Sequence, residues 1–349
     1  MSATYAAARK AIAARPRRWL VTGAAGFIGS HLVETLLRLG QEVVGLDNLS
    51  TGHRENLEDV IRAVGEEGAA RFRFLLGDIR DPESCAEACD GVEIVLHQAA
   101  LGSVPRSIED PVASHASNVD GFVQMLVAAR DAGVKRFVYA SSSSVYGDEP
   151  TLPKVEGREG RLLSPYAATK KIDEIYAEVF GPTYGMEIVG LRYFNVFGPR
   201  QDPRGPYAAV IPRWILGLLR GETCRIFGDG ETSRDFCYVD NAVQANLLAA
   251  VVEDREAIGR VYNVACGETT TLNQLFAVLR DAVAAHVPSA AGARPSYEDF
   301  RPGDVRHSLA DIGLASRLLG YAPTHRIGDG IGPTVAWFAD AAQRKRFAA

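Results

Sequence analysis

Basic residues are not in excess in this sequence: 38 Lys and Arg stand against 43 Asp and Glu, a net charge of −5. That leaves no cationic footprint for a nucleic-acid partner. No apolar run approaches the ~18 residues that a membrane-spanning helix needs. Residues 1–18, rich in Ala and Arg, lack the apolar centre of a secretory signal and are expected as a surface extension, helical or not, ahead of the first strand. Cysteine is sparse. The five present (Cys85, Cys89, Cys224, Cys237 and Cys266) form no CxxC pair and have no histidines beside them, so no metal site is expected. An odd number of scattered thiols fits a reducing, cytoplasmic setting. Internal repeats and low-complexity tracts are also missing.

What remains is ordinary globular composition, 47 % apolar and 23 % charged, in a chain of 349 residues, long enough for two lobes. The first half alternates short β-branched runs with helical ones, the pattern of βαβ units and a parallel sheet. Strands are expected at Trp19-Leu20-Val21-Thr22, Val43-Val44-Gly45-Leu46, residues 71–76, Ile94-Val95-Leu96, Phe137-Val138-Tyr139-Ala140 and residues 188–191. They read as continuous apolar runs, as when both sheet faces are covered. Helical periods occupy 27–39, 111–132 and the stretch opening at Pro165. Past Asn195, Gly, Pro and Arg become frequent, as in Gly198-Pro199-Arg200. There a second lobe is expected, with helices near 208–220, 241–251 and 272–285. Val261-Tyr262-Asn263-Val264 reads as a further sheet strand, so the lobes would interleave.

Three motifs carry chemistry. Gly23-Ala24-Ala25-Gly26-Phe27-Ile28-Gly29 follows the first strand and opens the first helix. Gly23 permits the tight turn, Gly26 admits a pyrophosphate to the backbone, and Gly29 lets helix and strand pack closely. Asp47, about 20 residues on at the end of the second strand, suits the adenosine ribose hydroxyls and repels a 2′-phosphate, which favours NAD over NADP. Ser164-Pro165-Tyr166-Ala167-Ala168-Thr169-Lys170 puts a capped helix start ahead of a Tyr and a Lys one turn apart. Alone, that spacing is far better explained by an amphipathic helix with a core Tyr and a solvated Lys. The run Ser141-Ser142-Ser143-Ser144-Val145-Tyr146-Gly147 closes the fifth strand, where open α/β sheets place ligand contacts.

The GxxGxxG turn, Asp78-Ile79, His97-Gln98-Ala99-Ala100, Asn118-Val119-Asp120-Gly121, the serine run and Tyr166/Lys170, in that order, resemble the extended short-chain dehydrogenase/reductase family along nearly the whole chain. The resemblance implies an α/β fold: a Rossmann-type doubly wound parallel sheet over 1–195, with a returning segment near 236–265, and a smaller mixed α/β lobe over 196–349. It implies NAD held by Gly23, Gly26, Phe27, Ile28, Gly29, Asp47, Asn48, Asp78, Ile79, Gln98, Ala99, Ala100, Asn118, Tyr166, Lys170 and Phe194. Ser142, Tyr166 and Lys170 match the catalytic set. Oxidising a sugar carbinol needs a base, and free tyrosine, with a pKa near ~10, is a poor one at neutral pH. A neighbouring ammonium and the positive ring of oxidised NAD favour the phenolate. Members that eliminate water carry an acid in the serine segment. Here there is none, so the resemblance implies epimerisation, with the cofactor unchanged at the end.

In the second lobe, Phe194-Asn195 resembles the crossover to the substrate, Phe227 a uracil contact, and Arg234 and Arg301 two diphosphate-binding arginines. Ser308 aligns with a gate where tyrosine excludes an N-acetyl group and a small residue admits it. With Gly102, Ser103, Ser143, Gln201 and Ala209 also placed at the sugar, the chain is similar to the subgroup of bacterial UDP-N-acetylglucosamine 4-epimerases. The implied partner is a UDP-sugar, UDP-N-acetylglucosamine or UDP-N-acetylgalactosamine, with the non-acetylated UDP-glucose/galactose and UDP-glucuronate as alternatives. Relatives pair two helices from each subunit, which implies a homodimer through 111–132 and 165–180. No metal, nucleic acid or membrane partner is implied.

Overall fold

A computed structural model describes residues 3–204, 208–300, 305–340, 343, 346 and 347. Seven strands form its centre: β1 (Arg18–Thr22), β2 (Glu42–Asp47), β3 (Phe72–Leu76), β4 (Ile94–His97), β5 (Arg136–Ser142), β6 (Glu187–Tyr193) and β7 (Arg260–Val264). They are ordered β3-β2-β1-β4-β5-β6-β7, and every pairing is parallel. The doubly wound sheet expected from the strand–helix alternation is present, with residues 261–264 inside it. Between β1 and β4 the winding reverses, and a crevice opens at the carboxyl ends of the strands.

Period-two alternation sends each strand's side chains to opposite faces. Trp19, Val21, Val43, Leu96, Val138 and Leu191 join one core with the helices Phe27–Arg38, Arg54–Ala69 and Val239–Val251. Leu20, Val44, Val95, Phe137 and Ile188 join the other, with Pro82–Cys89, Gly121–Asp131 and Pro165–Tyr184. A third core, around Trp214, Ile226, Phe236, Phe276 and Val335, belongs to the helices Val210–Arg220, Leu272–Ala284 and Ile327–Ala339. Helix Gly313–Leu319 returns to the first core through Ala315 and Leu319, which the sequence pattern did not announce.

Three expectations need correction. The strand β3 is an edge, with Arg73 and Leu76 exposed, so its apolar run is not covered on both faces. Helix Ala3–Ala14 is not mere surface: Tyr5 and Ile12 are buried in the first core, and Gln41 Nε2 donates to the Ile12 carbonyl at 2.9 Å. The 111–132 stretch is not one α-helix. It runs Pro111–His115, a π-helical turn at Ala116–Asp120, then Gly121–Asp131. Such turns recur at functional sites, and this one carries Asn118.

Candidate active site

At Gly23, φ is +67°, and an added Cβ would sit 2.9 Å from the Ala99 nitrogen. A Cβ on Gly29 would meet the Gly23 carbonyl oxygen at 2.0 Å. Only glycine therefore lets the helix Phe27–Arg38 start so close to β1. Its N-cap, Gly26, has no side chain to satisfy the first N–H groups, which are left for an anion. Asp47 Oδ2 accepts from the Ala25 N–H at 2.9 Å and Oδ1 from the Leu49 N–H at 2.7 Å. Burial pushes its carboxyl up against those bonds. Each oxygen keeps a lone pair for a ribose hydroxyl. A glycine cradle, an open helix start and a carboxylate at the end of β2 fit a dinucleotide.

The turn belongs to a cleft of about 480 Å³. Of the residues implied to hold the cofactor, Gly23, Gly26, Phe27, Ile28, Gly29, Asp47, Asn48, Ile79, Gln98, Ala99, Ala100, Tyr166 and Lys170 line it. Asp78 instead holds Arg80 through two guanidinium bonds and accepts from Asn48 Nδ2 at 2.8 Å, an arrangement that keeps its carboxyl well below the usual range. Asn118 grips Leu101, accepting its N–H at 2.7 Å and donating to its carbonyl at 3.1 Å, and so shapes the wall from behind. Phe194 is fully buried against Tyr146, Ala265 and Ala310, away from the cleft. Its neighbour Tyr193 faces the cleft instead, donating to Gln98 Oε1 at 2.9 Å and accepting from Asn246 Nδ2 at 2.7 Å.

The helix Pro165–Tyr184 begins with Ser164 accepting from the Ala167 N–H at 3.1 Å. Its first turn is held again where the Tyr166 N–H donates to Ser107 Oγ at 2.9 Å. Lys170 is buried except where it meets the cleft. Its Nζ donates to the Ala140 carbonyl of β5 at 3.0 Å and to Asp173 Oδ2 at 3.1 Å, leaving one N–H of three. Burial pushes the Asp173 carboxyl up to about 7 while the Lys170 ammonium pulls it down. Ser142 ends β5; its Oγ accepts from the Ser144 N–H and donates to Ser144 Oγ, both at 3.1 Å. Ser142, Tyr166 and Lys170 line one cleft, while Ser143 does not line it.

Behind these groups lie charges that motif reading missed. Glu174 accepts from Ser141 Oγ at 2.7 Å and takes a bidentate bond from Arg192, both arms at 2.8 Å. Asp173 and Glu174 follow Lys170 at three and four positions, so helical spacing alone could have raised them. His97 is neutral. Thr22 Oγ1 accepts from the Gln98 and Ala99 N–H groups, each at 3.2 Å, so its own proton goes to His97 Nδ1 at 2.9 Å. Burial, and then the Lys170 charge, pushes that imidazole down to about 3.

Gly102, Asn195 and Gln201 line the same cleft, and Asn195 also lines a second cavity of about 180 Å³ with Trp214, Phe227, Thr232 and Arg234. Asp235 is not an ion-pair partner for the neighbouring arginine. Its buried carboxylate accepts from the backbone N–H groups of Cys266, Gly267 and Ala310 at 2.8, 3.0 and 3.3 Å. Ser308 bonds the backbone of Ser233 at 3.1 Å, beside that cavity but not in its wall. Ser103 caps the helix Val104–Glu109 at a φ of +99°, and Ala209 is the exposed N-cap of Val210–Arg220. Arg301 lies outside the described residues.

No helix among the described residues is long and apolar enough to cross a membrane, and none of their His, Cys, Asp and Glu side chains group in threes that could hold a metal. The model of the NAD dependent epimerase/dehydratase family matches residues 19–265. A UDP-glucose 4-epimerase of Mycolicibacterium smegmatis is 39 % identical over 328 residues, 93 % of this chain and 100 % of that protein. The UDP-glucose 4-epimerase of Thermotoga maritima, solved with UDP-glucose, superposes with a TM-score of 0.83 at 37 % identity, covering 92 % of this chain and 98 % of that one. A UDP-N-acetylglucosamine 4-epimerase from Methanobrevibacter ruminantium M1, in complex with UDP-N-acetylmuramic acid, gives 0.83 at 37 %, over 93 % and 98 %.

Proposed function

The chain belongs to the NAD dependent epimerase/dehydratase family, and we propose that it interconverts UDP-N-acetylglucosamine and UDP-N-acetylgalactosamine by inverting C4. In its coarser form the activity is that of an NAD-dependent UDP-sugar 4-epimerase. Tyr166 is the acid/base, taking the proton of the 4-hydroxyl and later returning it. Lys170, anchored to β5 through the Ala140 carbonyl, holds positive charge one helical turn from that phenol. Ser142 orients the 4-hydroxyl. NAD, when bound, would supply the hydride acceptor and donor for C4, and Tyr166 and Ser142 would hold the transient 4-keto sugar within the cleft. Asn195, Phe227 and Arg234 hold the nucleotide diphosphate in the second cavity with Ser308 beside it, and Arg301 is proposed as a second diphosphate-binding arginine. Firm anchoring there leaves the sugar free to turn.

One observation carries the reading against elimination of water. The carboxylates lining the cleft are Asp47 and Asp202, and neither belongs to the Ser142–Tyr166 wall. Asp47 accepts two backbone bonds at the end of β2, and Asp202 pairs with His53 at 2.5 Å on that same side. Among the described residues, a leaving hydroxyl would find no carboxylic acid on that wall. For the choice of sugar, Gly102 in the wall and Ser308 beside the second cavity support an N-acetylated substrate, since both are small. Purified protein given UDP-N-acetylglucosamine without added cofactor is expected to form UDP-N-acetylgalactosamine, with kcat/KM above that for UDP-glucose and UDP-glucuronate. A preference for a non-acetylated sugar would move the assignment to an epimerase of that sugar.

The protein is proposed to act as a homodimer. Ile175, Tyr176 and Val179 on Pro165–Tyr184 and Val112 on Pro111–His115 are exposed apolar residues within the two stretches, 165–180 and 111–132, proposed to pair. A monomer in sedimentation at micromolar concentration would contradict this.

A further inference from the structure

We propose that Arg200 is a cofactor ligand, donating its guanidinium to the pyrophosphate of the dinucleotide from the loop that follows the short strand Val196–Phe197. Arg200 is a non-glycine residue in the left-handed region, at a φ of +66°. Such strain persists where the surroundings over-determine it, and it concentrates at ligand clamps. The side chain is only 8 % exposed, yet it lines the cofactor cleft with Gly23, Gly26 and Phe27.

Its guanidinium is half used. Nη2 meets Glu34 Oε2 at 2.5 Å, on the helix that opens with the glycine turn. Nε and Nη1 are buried and have no hydrogen-bond partner among the described residues. Unmet N–H groups on a buried cation are costly, far more so than an unmet neutral amide. A buried guanidinium with one nitrogen engaged and two unmet, on a side chain that lines the cleft, is suited to phosphate oxygens that approach from it.

The placement agrees. The Pro199 carbonyl accepts from His31 Nε2 at 3.0 Å, which pins the loop to the same helix. Helical side chains lean towards the N-terminus, so Glu34 and the arginine it holds lie over the first turns, near the uncapped N–H groups. Glu34 then tethers Arg200, and the open N–H groups meet the anion opposite the helix start. The substrate-side loop would thus close over the dinucleotide and help to retain it.

This inference rests on the dinucleotide reading of the cleft, and its test separates the two. The holoprotein is incubated with isotopically labelled NAD, and exchange of the bound cofactor is followed by mass spectrometry; competition by ADP and by adenosine is measured alongside. Arg200→Met should speed exchange by about tenfold to a hundredfold and weaken ADP by a similar factor, the range expected for charge-assisted bonds. Adenosine, which has no phosphate, should compete unchanged. Arg200→Lys, which keeps the charge but not the fork, should fall between, and Glu34→Gln should disturb exchange less than Arg200→Met. Wild-type exchange rates in both Arg200 variants would overturn the proposal. So would a loss of adenosine and ADP binding in equal measure, which would make Arg200 a strut for the loop. A wild-type protein that neither holds nor binds NAD would instead sink the dinucleotide reading, before any variant is compared.

Discussion

At the cofactor end of the cleft the wall residues hang from parallel strands; at the second cavity they hang from side chains that bond to backbone. Thr22, Asp47, His97 and Ser142 each end a strand of the central sheet, so the register of the three ladders between those strands sets where they stand. Around Asn195, Phe227 and Arg234 the strands are two or three residues long, and buried polar side chains there, on β7 and on the helix Val239–Val251 hold the backbone of the connections instead. Asp235 gathers three N–H groups. Asn263 donates to the Lys154 and Asp311 carbonyls, both at 2.9 Å. Asn241 accepts from the Thr324 N–H at 2.8 Å. The first construction fixes chemistry to within a strand's pleat, and the second lets a binding surface vary without moving the reacting groups.

That contrast can be broken at either end. The largest expected effect is at the cofactor end: Tyr166→Phe should lower kcat about a thousandfold with KM little altered, because only proton transfer is lost. Bound NAD, released and counted per subunit, should not change. A variant with substantial activity would remove Tyr166 from the chemistry.

At the other end, Asp235→Ala leaves three buried N–H groups without an acceptor. It should cost about 3 kcal/mol in urea unfolding and weaken UDP binding while NAD content is maintained. Equal loss of both ligands would mean that the two ends are not built independently.

The pH dependence of stability sharpens the comparison from the sheet side. His97 is held at about 3 in the fold against 6.5 unperturbed, so the unfolded chain takes up a proton there first as pH falls. Its contribution is complete above about 6.5 and is lost between there and about 3, amounting to about 3 kcal/mol by pH 4. His31, pushed down to about 4 by burial and then by Arg200, loses its share over the same interval. Urea unfolding at pH 4 to 8 should slope downwards towards acid, and His97→Gln should flatten it. An unchanged slope would assign the acid sensitivity elsewhere.

The legible parts of the site were those whose geometry is local. A glycine spacing, an acid at the end of β2 and a Tyr and Lys one helical turn apart are properties of single elements, and they line one cleft. What escaped depends on segments far apart in sequence. Arg200 reaches Glu34 across 166 positions, and Asp235 reaches Ala310 across 75. Phe194 shows a subtler limit: β6 ends at Tyr193, and a step of one residue turns the Phe194 side chain to Tyr146 while Tyr193 takes the cleft. The 111–132 period was read correctly as helical, but no period reports a π-turn that swings Asn118 onto Leu101.

The smallest effect belongs to specificity. Ser308→Tyr should lower kcat/KM for the N-acetylated sugars about tenfold relative to UDP-glucose, with folding and NAD content as before. No selective loss would detach Ser308 from the sugar pocket.

The central claim is that the cofactor end takes a hydride from C4 and returns it to the same carbon before anything is released. UDP-N-acetylglucosamine deuterated at C4 tests it directly. The account predicts UDP-N-acetylgalactosamine with the deuterium still at C4 and none in the water. Deuterium found at C6, lost to solvent or accumulated on released cofactor would contradict it.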